Sequence, residues 1–189
     1  MDAAVRKERY YTYDDYCSWE DDQRWELIDG VAYAMAPAPS IGHQSVLVEL
    51  ASQLSTFLLG KPCKVLVAPC DVRLNADAGD DTVVQPDILV VCDESKLQDG
   101  RSVVGAPDLM IEILSPSSVK HDKITKLALY QRSGVPEYWI VDPGAATVAV
   151  YSLKHGSGYL SRLYDKQDTA VPVEALDGCA VNLAYVFDV

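Results

Sequence analysis

Two strongly apolar segments of the chain each contain one acidic residue. Asp87 precedes the apolar run 88–91, and Glu112 lies inside the apolar run 109–114. An ionised side chain in such a strand is costly unless it is paired or bound to a metal ion. If the two strands are neighbours, both carboxylates can point to one side and share a hard cation such as Mg²⁺. The alternatives are a loop cap for Asp87 and an ion pair with Lys or Arg for Glu112.

Composition and length are those of a globular protein. The 189 residues are 49% hydrophobic and 23% charged, which predicts a single domain over residues 1–189. No apolar run reaches the roughly 18 residues that span a bilayer, and residues 1–13 lack a signal-peptide core. We therefore expect a cytoplasmic protein with no membrane contact. The five cysteines form no CxxC pair, which predicts free thiols rather than a zinc ribbon.

The order of predicted elements is that of a mixed α/β domain. Asp29-Gly30 predicts a tight hairpin turn within residues 24–35. Hydrophobic periodicity and turn residues predict three helices and four further strand segments. The helices are predicted at 12–20, 43–59 and 120–133, and the strands at 64–74 (interrupted at Pro69), 83–92 (interrupted near Pro86), 107–114 and 137–143. This pattern predicts a mixed sheet flanked by helices, with additional β-hairpins.

The motifs around the two acids resemble the Uma2 family of the PD-(D/E)XK nuclease superfamily. They are Pro86-Asp87, the 25-residue step to Glu112, the sequence EILSPSS at 112–118, a Lys-bearing helix, and GVPEYWIVDP at 134–143. The resemblance runs from the N-terminal helix to at least Pro143. It implies a restriction-endonuclease-like fold and a metal-dependent endonuclease that hydrolyses DNA phosphodiester bonds. It also implies Mg²⁺ as the cofactor, with Mn²⁺ as a substitute.

By this resemblance, Asp87 and Glu112 match the acidic metal ligands. The carbonyl of Ile113 is a natural third ligand, because the strand bends directly afterwards. The family pattern places a Lys two residues after the second acid, but this chain has Leu114 there. Strand alternation puts Leu114 on the same face as Glu112. In related proteins the Lys can move to the following helix.

Lys126 is the candidate for this displaced catalytic lysine, and Lys123 is the alternative. On an α-helical wheel, Ile124, Leu127 and Ala128 predict one apolar face, with Lys126 roughly opposite. Asp122 lies one turn before Lys126. A weak surface ion pair between Asp122 and Lys126 is the alternative to a catalytic role.

Three further residues are candidates for the site. Glu26 matches an acidic position early in the family's fold and would complete the metal site or orient water. The alternative is an exposed hairpin residue. His43 and Gln44 open the second predicted helix, where main-chain N–H groups favour a phosphate of the substrate. For His43 the alternative is a hydrogen-bonded core residue.

A second functional hypothesis is a non-catalytic binding or assembly protein that retains the nuclease fold. Leu114 in the lysine position favours it, and so does the net charge of −12. That charge disfavours broad electrostatic binding of nucleic acid, although a local basic patch is compatible with it. The apolar strands and Tyr138-Trp139 are compatible with a homodimer.

Overall fold

The structure is a computed structural model that describes residues 5–6, 9–20, 22–35, 38–116 and 118–188. The described strands form two six-stranded sheets and one two-stranded ribbon. In chain order they are β1 (Val5–Arg6), β2 (Trp25–Ile28), β3 (Val31–Ala34), β4 (Lys64–Val67), β5 (Asp71–Arg73), β6 (Val83–Val84), β7 (Ile88–Val91), β8 (Ser102–Val104), β9 (Leu109–Ile113), β10 (Glu137–Asp142), β11 (Thr147–Lys154), β12 (Gly158–Asp165), β13 (Val171–Pro172) and β14 (Ala180–Val181).

The described helices are mostly short. They are α1 (Tyr13–Cys17), α2 (Ile41–Leu58), α3 (Leu127–Arg132), α4 (Leu183–Val186) and a 3₁₀ turn at Glu94–Leu97. A π-helical segment, His121–Lys126, leads directly into α3. No helix among the described residues is both long and apolar enough to cross a membrane.

Both large sheets are mixed. Sheet 1 has the order β1-β3-β2-β6-β5-β8, and sheet 2 has the order β12-β11-β10-β9-β7-β4. The β5–β8 and β9–β10 pairs are parallel, and the other pairs are antiparallel. The predicted turn at Asp29-Gly30 joins β2 and β3, and both residues have positive φ. That geometry suits the twist of a two-residue hairpin.

Two prolines divide predicted strands between the two sheets. The predicted strand 64–74 breaks at Pro69 into β4 of sheet 2 and β5 of sheet 1. The predicted strand 83–92 breaks at Pro86 into β6 of sheet 1 and β7 of sheet 2. Proline has no N–H to donate to a ladder, so each strand ends where its chain changes sheet. Asp87 therefore lies at the junction of the two sheets.

Sheet 2 is covered on both faces. Leu50 and Leu54 of α2 pack with Ile111 and Trp139 on one face, as the amphipathic pattern of that helix predicts. Tyr130 of α3 packs with Met110 on the other face, together with buried residues of sheet 1. Side chains alternate along β9, so Glu112 points to the second face, with Met110.

The predicted apolar face of the third helix is wrong. Ile124 is 62% exposed, whereas Asp122 and Lys126 are buried. Asp122, Lys126 and Tyr130 follow one another at intervals of four residues, so they share one face of the helix. That face points into the protein because its charged side chains form ion pairs and hydrogen bonds there. A helical wheel that considers only apolar residues does not predict such a face.

The expectation of free thiols is wrong for two cysteines. Cys63 and Cys92 form a disulfide, while Cys17, Cys70 and Cys179 are free. The antiparallel register of β4 and β7 pairs Lys64 with Val91. The next residue outward on each strand is a cysteine, so strand pairing brings these two together.

The turn glycine Gly30 is expected to be essential for stability. It has a φ of +73°, and an added Cβ would collide with the ring of Tyr10. Gly60 is a matched control, because its φ is +75° but a Cβ there would meet nothing. We expect Gly60→Ala to lower the free energy of unfolding by about 1–2 kcal/mol through backbone strain alone. Gly30→Ala should cost clearly more in urea unfolding, and equal costs would contradict the steric account.

Candidate active site

Pairing of β7 with β9 brings the two strand acids together. The antiparallel register places Ile88 opposite Ile111, so one step further Asp87 lies opposite Glu112. Asp87 Oδ2 accepts a hydrogen bond of 2.8 Å from the N–H of Ile113. It also lies 3.3 Å from Nε2 of His43. Asp87 is thus fixed at the rim of the site by one strand and one helix.

Glu26 reaches the same site from sheet 1. It lies in the central part of that sheet, on β2, and is buried rather than an exposed hairpin residue. Its Oε1 accepts a hydrogen bond of 2.9 Å from the N–H of Gln85. Its Oε2 lies 3.5 Å from Nε2 of His121. The two sheets therefore each contribute one buried glutamate.

Lys126 bridges these two glutamates. Its Nζ lies 2.8 Å from Oε1 of Glu112, 2.9 Å from Oε1 of Glu26 and 3.9 Å from Oδ1 of Asp122. All four residues are between 2% and 4% exposed. We call Glu26, Glu112, Asp122 and Lys126, together with Asp87, the acid cluster. Asp122 therefore pairs with Lys126 in the interior, and the predicted surface pair is wrong.

The alternative lysine lies elsewhere. Lys123 is half-exposed, and its Nζ is 4.0 Å from Oδ2 of Asp142. Leu114, which stands in the usual lysine position, is buried in the apolar core with Leu129. Of the two predicted lysines, Lys126 is therefore the one whose ammonium reaches the carboxylates.

The acid cluster holds four carboxyl groups against one ammonium. Burial raises the pKa of Glu112 well above its ordinary value, and Lys126 offsets this only in part because the neighbouring acids oppose it. Burial likewise raises the pKa of Asp122. Burial also raises the pKa of Glu26, but Lys126, His121 and the Gln85 main chain together lower it to about 2. The cluster thus has more acids than its one ammonium can balance, and either a proton or a bound cation would offset the excess.

Lys126 keeps its charge in this environment. Burial lowers the pKa of its ammonium, but Glu112, Glu26 and Asp122 together raise that pKa well above the ordinary value. The raised pKa favours the charged ammonium, which lies within hydrogen-bond distance of Glu112 and Glu26.

The two predicted substrate-binding residues have different surroundings. His43 is buried against Asp87, and within the described part of the chain its Nδ1 has no hydrogen-bond partner. Burial lowers its pKa, but Asp87 and the Ile113 main chain reverse this and raise it. Gln44 is exposed and lines a shallow surface depression with Ile41 and Val48. Only His43 of this pair touches the acid cluster.

Tyr130 is a member of the site that the sequence did not indicate. Its phenol donates a hydrogen bond of 2.8 Å to Oε1 of Glu112. His121, another unanticipated neighbour, lies beside Glu26. The four-residue spacing of Asp122, Lys126 and Tyr130 is a signal that could have indicated this polar face.

The donor set suits a hard divalent cation. Among the residues that the structure describes, no three His, Cys, Asp or Glu side chains are grouped to hold a metal ion. Mg²⁺ commonly takes one or two protein carboxylates and retains several waters. Facing carboxylates at Asp87 and Glu112, with surplus acid around them, fit that requirement, and the Ile113 carbonyl lies in the same strand.

Comparison with known proteins places this arrangement in a family. The family model for Uma2, described as "Putative restriction endonuclease", matches residues 11–184. The chain belongs to the Uma2 family. An uncharacterized protein of Synechocystis sp. is 25% identical over 179 residues, which cover 93% of this chain and 88% of that protein.

A solved structure shares the Uma2 fold. It is the crystal structure of "a putative nuclease belonging to DUF820" from Anabaena variabilis, with a TM-score of 0.71 and 23% sequence identity. The match covers 94% of this chain and 97% of that chain. The predicted family and the predicted mixed sheet flanked by helices are both confirmed.

Removing the Lys126 ammonium should strongly destabilise the protein. Lys126→Met leaves buried acids without their cation, and breaking such a pair typically costs about 3–5 kcal/mol. Lys123→Met is the matched control, because an exposed pair contributes about 1 kcal/mol or less. Chemical unfolding at pH 7 measures both, and equal effects would contradict the geometry.

The same comparison has a predicted pH dependence. The lowered pKa of Glu26 means that its stabilising contribution is present above about pH 4.5 and is lost as the pH falls towards 2. The difference in unfolding free energy between wild type and Lys126→Met should therefore shrink over that range.

Proposed function

We propose that this Uma2 protein is a metal-dependent endonuclease that hydrolyses phosphodiester bonds in DNA. One observation carries the proposal: the Lys126 ammonium lies 2.8 Å from Glu112, which faces Asp87 across paired strands. A lysine from the helix thus reaches the acids despite Leu114. The family's description, "Putative restriction endonuclease", supports the same reaction class.

Asp87, Glu112 and the Ile113 carbonyl would hold Mg²⁺, with Mn²⁺ as a substitute. Such a cation, when bound, polarises a phosphate oxygen and lowers the pKa of a bound water. Asp87 is suited to this role because Oδ2 is already fixed by the Ile113 N–H. Glu112 is suited because it sits among other acids, and a bound cation would offset their negative charge.

Lys126 and Glu26 would act on the phosphate and on the attacking water. The ammonium of Lys126 would stabilise the negative charge that develops on the phosphate oxygens as water adds to phosphorus. Glu26, held as a carboxylate by its low pKa, would accept a hydrogen bond from that water and orient it. In the net reaction, a P–O bond to the water oxygen forms, the P–O bond to one sugar oxygen breaks, and a proton from the water ends on that released oxygen.

Substrate binding would be local rather than spread over the surface. The net charge of −12 disfavours broad contact with DNA. Lys120 is exposed on the chain segment that also carries Lys126, and it would supply local positive charge. His43 would contact a phosphate from the start of α2, and Gln44 would do so from its exposed position. A homodimer and a cytoplasmic location stay predictions.

A non-catalytic binding or assembly protein is the second candidate. Two observations favour it: Leu114 occupies the usual lysine position, and Lys126 is already paired with two glutamates. A non-catalytic protein of this kind would keep the ion pairs only because they hold its structure together. Calorimetry separates the two candidate functions. A nuclease site binds Mn²⁺ and loses that binding in Glu112→Gln, whereas a non-catalytic protein shows no Mn²⁺ binding in either form.

Cleavage of plasmid DNA in the presence of Mg²⁺ or Mn²⁺ tests the proposed activity. We expect nicking or linearisation that a chelator abolishes. Asp87→Asn and Glu112→Gln should each reduce the rate by about 100-fold or more, because each removes a ligand of the charge-stabilising cation. Glu174→Gln is the control, since that exposed acid forms its ion pair with Lys154, outside the acid cluster. Unchanged cleavage in the two ligand variants would overturn the site assignment.

A further inference from the structure

Tyr130 makes a hydrogen bond inside the acid cluster that the proposed mechanism does not use. The residue is fully buried on α3, and its ring packs edge-on against Tyr138 with centroids 4.8 Å apart. Its phenol donates to Oε1 of Glu112 at 2.8 Å. The position of the phenol oxygen is therefore set by a buried, packed ring.

The same oxygen of Glu112, Oε1, also accepts a hydrogen bond from Lys126. Oε1 accepts from Nζ of Lys126 at 2.8 Å and from the Tyr130 phenol at 2.8 Å. Within the described part of the chain, no hydrogen bond uses Oε2 of Glu112. A rotation of the carboxylate that exchanged the two oxygens would break both bonds to Oε1. Oε2 is thus the oxygen left for another ligand.

Lys126 alone would define this orientation poorly. Its ammonium is shared among Glu112, Glu26 and Asp122 on a flexible stem. The Tyr130 phenol has one proton to donate, and Glu112 is its hydrogen-bond acceptor in the structure. Tyr130 follows Lys126 by one helical turn, so both hydrogen-bond donors come from one continuous helical segment. The position of that segment therefore determines the orientation of the Glu112 carboxylate.

We propose that Tyr130 is a positioning residue that fixes the Glu112 carboxylate, so that Oε2 faces a divalent cation shared with Asp87. This inference rests on the metal centre of the proposed function. Partners that hydrogen-bond a metal ligand commonly account for about 10–100-fold of metal affinity. Tyr130 would act through Glu112 and would not touch the substrate.

Tyr130→Phe tests this assignment, because it removes one hydroxyl and keeps the ring. Tyr159→Phe is the matched control, since its phenol donates to the main-chain carbonyl of Val135, outside the acid cluster. Mn²⁺ binding to the full chain is measured from the electron paramagnetic resonance signal of free Mn²⁺. Thermal unfolding verifies that both variants fold. The Mn²⁺ dependence and the KM for plasmid DNA are then measured separately.

We expect Tyr130→Phe to weaken Mn²⁺ binding by about tenfold. The Mn²⁺ concentration for half-maximal cleavage should rise in parallel, while the KM for DNA stays unchanged, a split that mere loss of stability would not produce. Tyr159→Phe should bind Mn²⁺ like the wild type. Equal Mn²⁺ affinity in Tyr130→Phe and wild type, or no Mn²⁺ binding by the wild type, would overturn the assignment. Weakened Mn²⁺ binding in Tyr130→Phe, without any DNA cleavage by the wild type, would support the positioning role of Tyr130 and contradict the proposed nuclease activity.

Discussion

The buried ion cluster around Lys126 holds the candidate site together. The lysine comes from the π-helical segment, Glu26 from sheet 1 and Glu112 from sheet 2, so three structural units meet at one ammonium. Taking these charges out of water is expensive, and apolar residues of similar volume would often serve stability as well or better. An arrangement that costs stability in this way is typical of a functional site, where ionised groups are needed for chemistry.

Prolines mark the points where two chain segments pass from one sheet to the other. The breaks at Pro69 and Pro86 let one chain segment contribute to both sheets, and Asp87 follows the second break. The aspartate is therefore partly exposed at the rim, while Glu26 and Glu112 are buried behind it. This difference suits a site in which the rim acid meets a cation from solvent and the inner acids stay paired with Lys126.

Local features of the fold were predictable from the sequence, and non-local ones were not. The hairpin at Asp29-Gly30 and the strand breaks at prolines follow from backbone chemistry within a few residues. The facing of Asp87 and Glu112 was expected only if their two strands were neighbours, and the pairing of β7 with β9 meets that condition. The disulfide between Cys63 and Cys92 depends on which strands pair across 29 residues. The inward face of Tyr130 and Asp122 depends on partners supplied by other strands, so helical periodicity alone pointed the wrong way.

A crystal of the protein grown with Mn²⁺ tests the central claim most directly, through the anomalous scattering of the metal. The account predicts one strong peak between Asp87 and Glu112, with Oε2 of Glu112 and the Ile113 carbonyl as ligands. Lys126 and Tyr130 should remain on Oε1 of Glu112. No peak at these carboxylates, or a peak ligated by acids outside the acid cluster, would contradict the account.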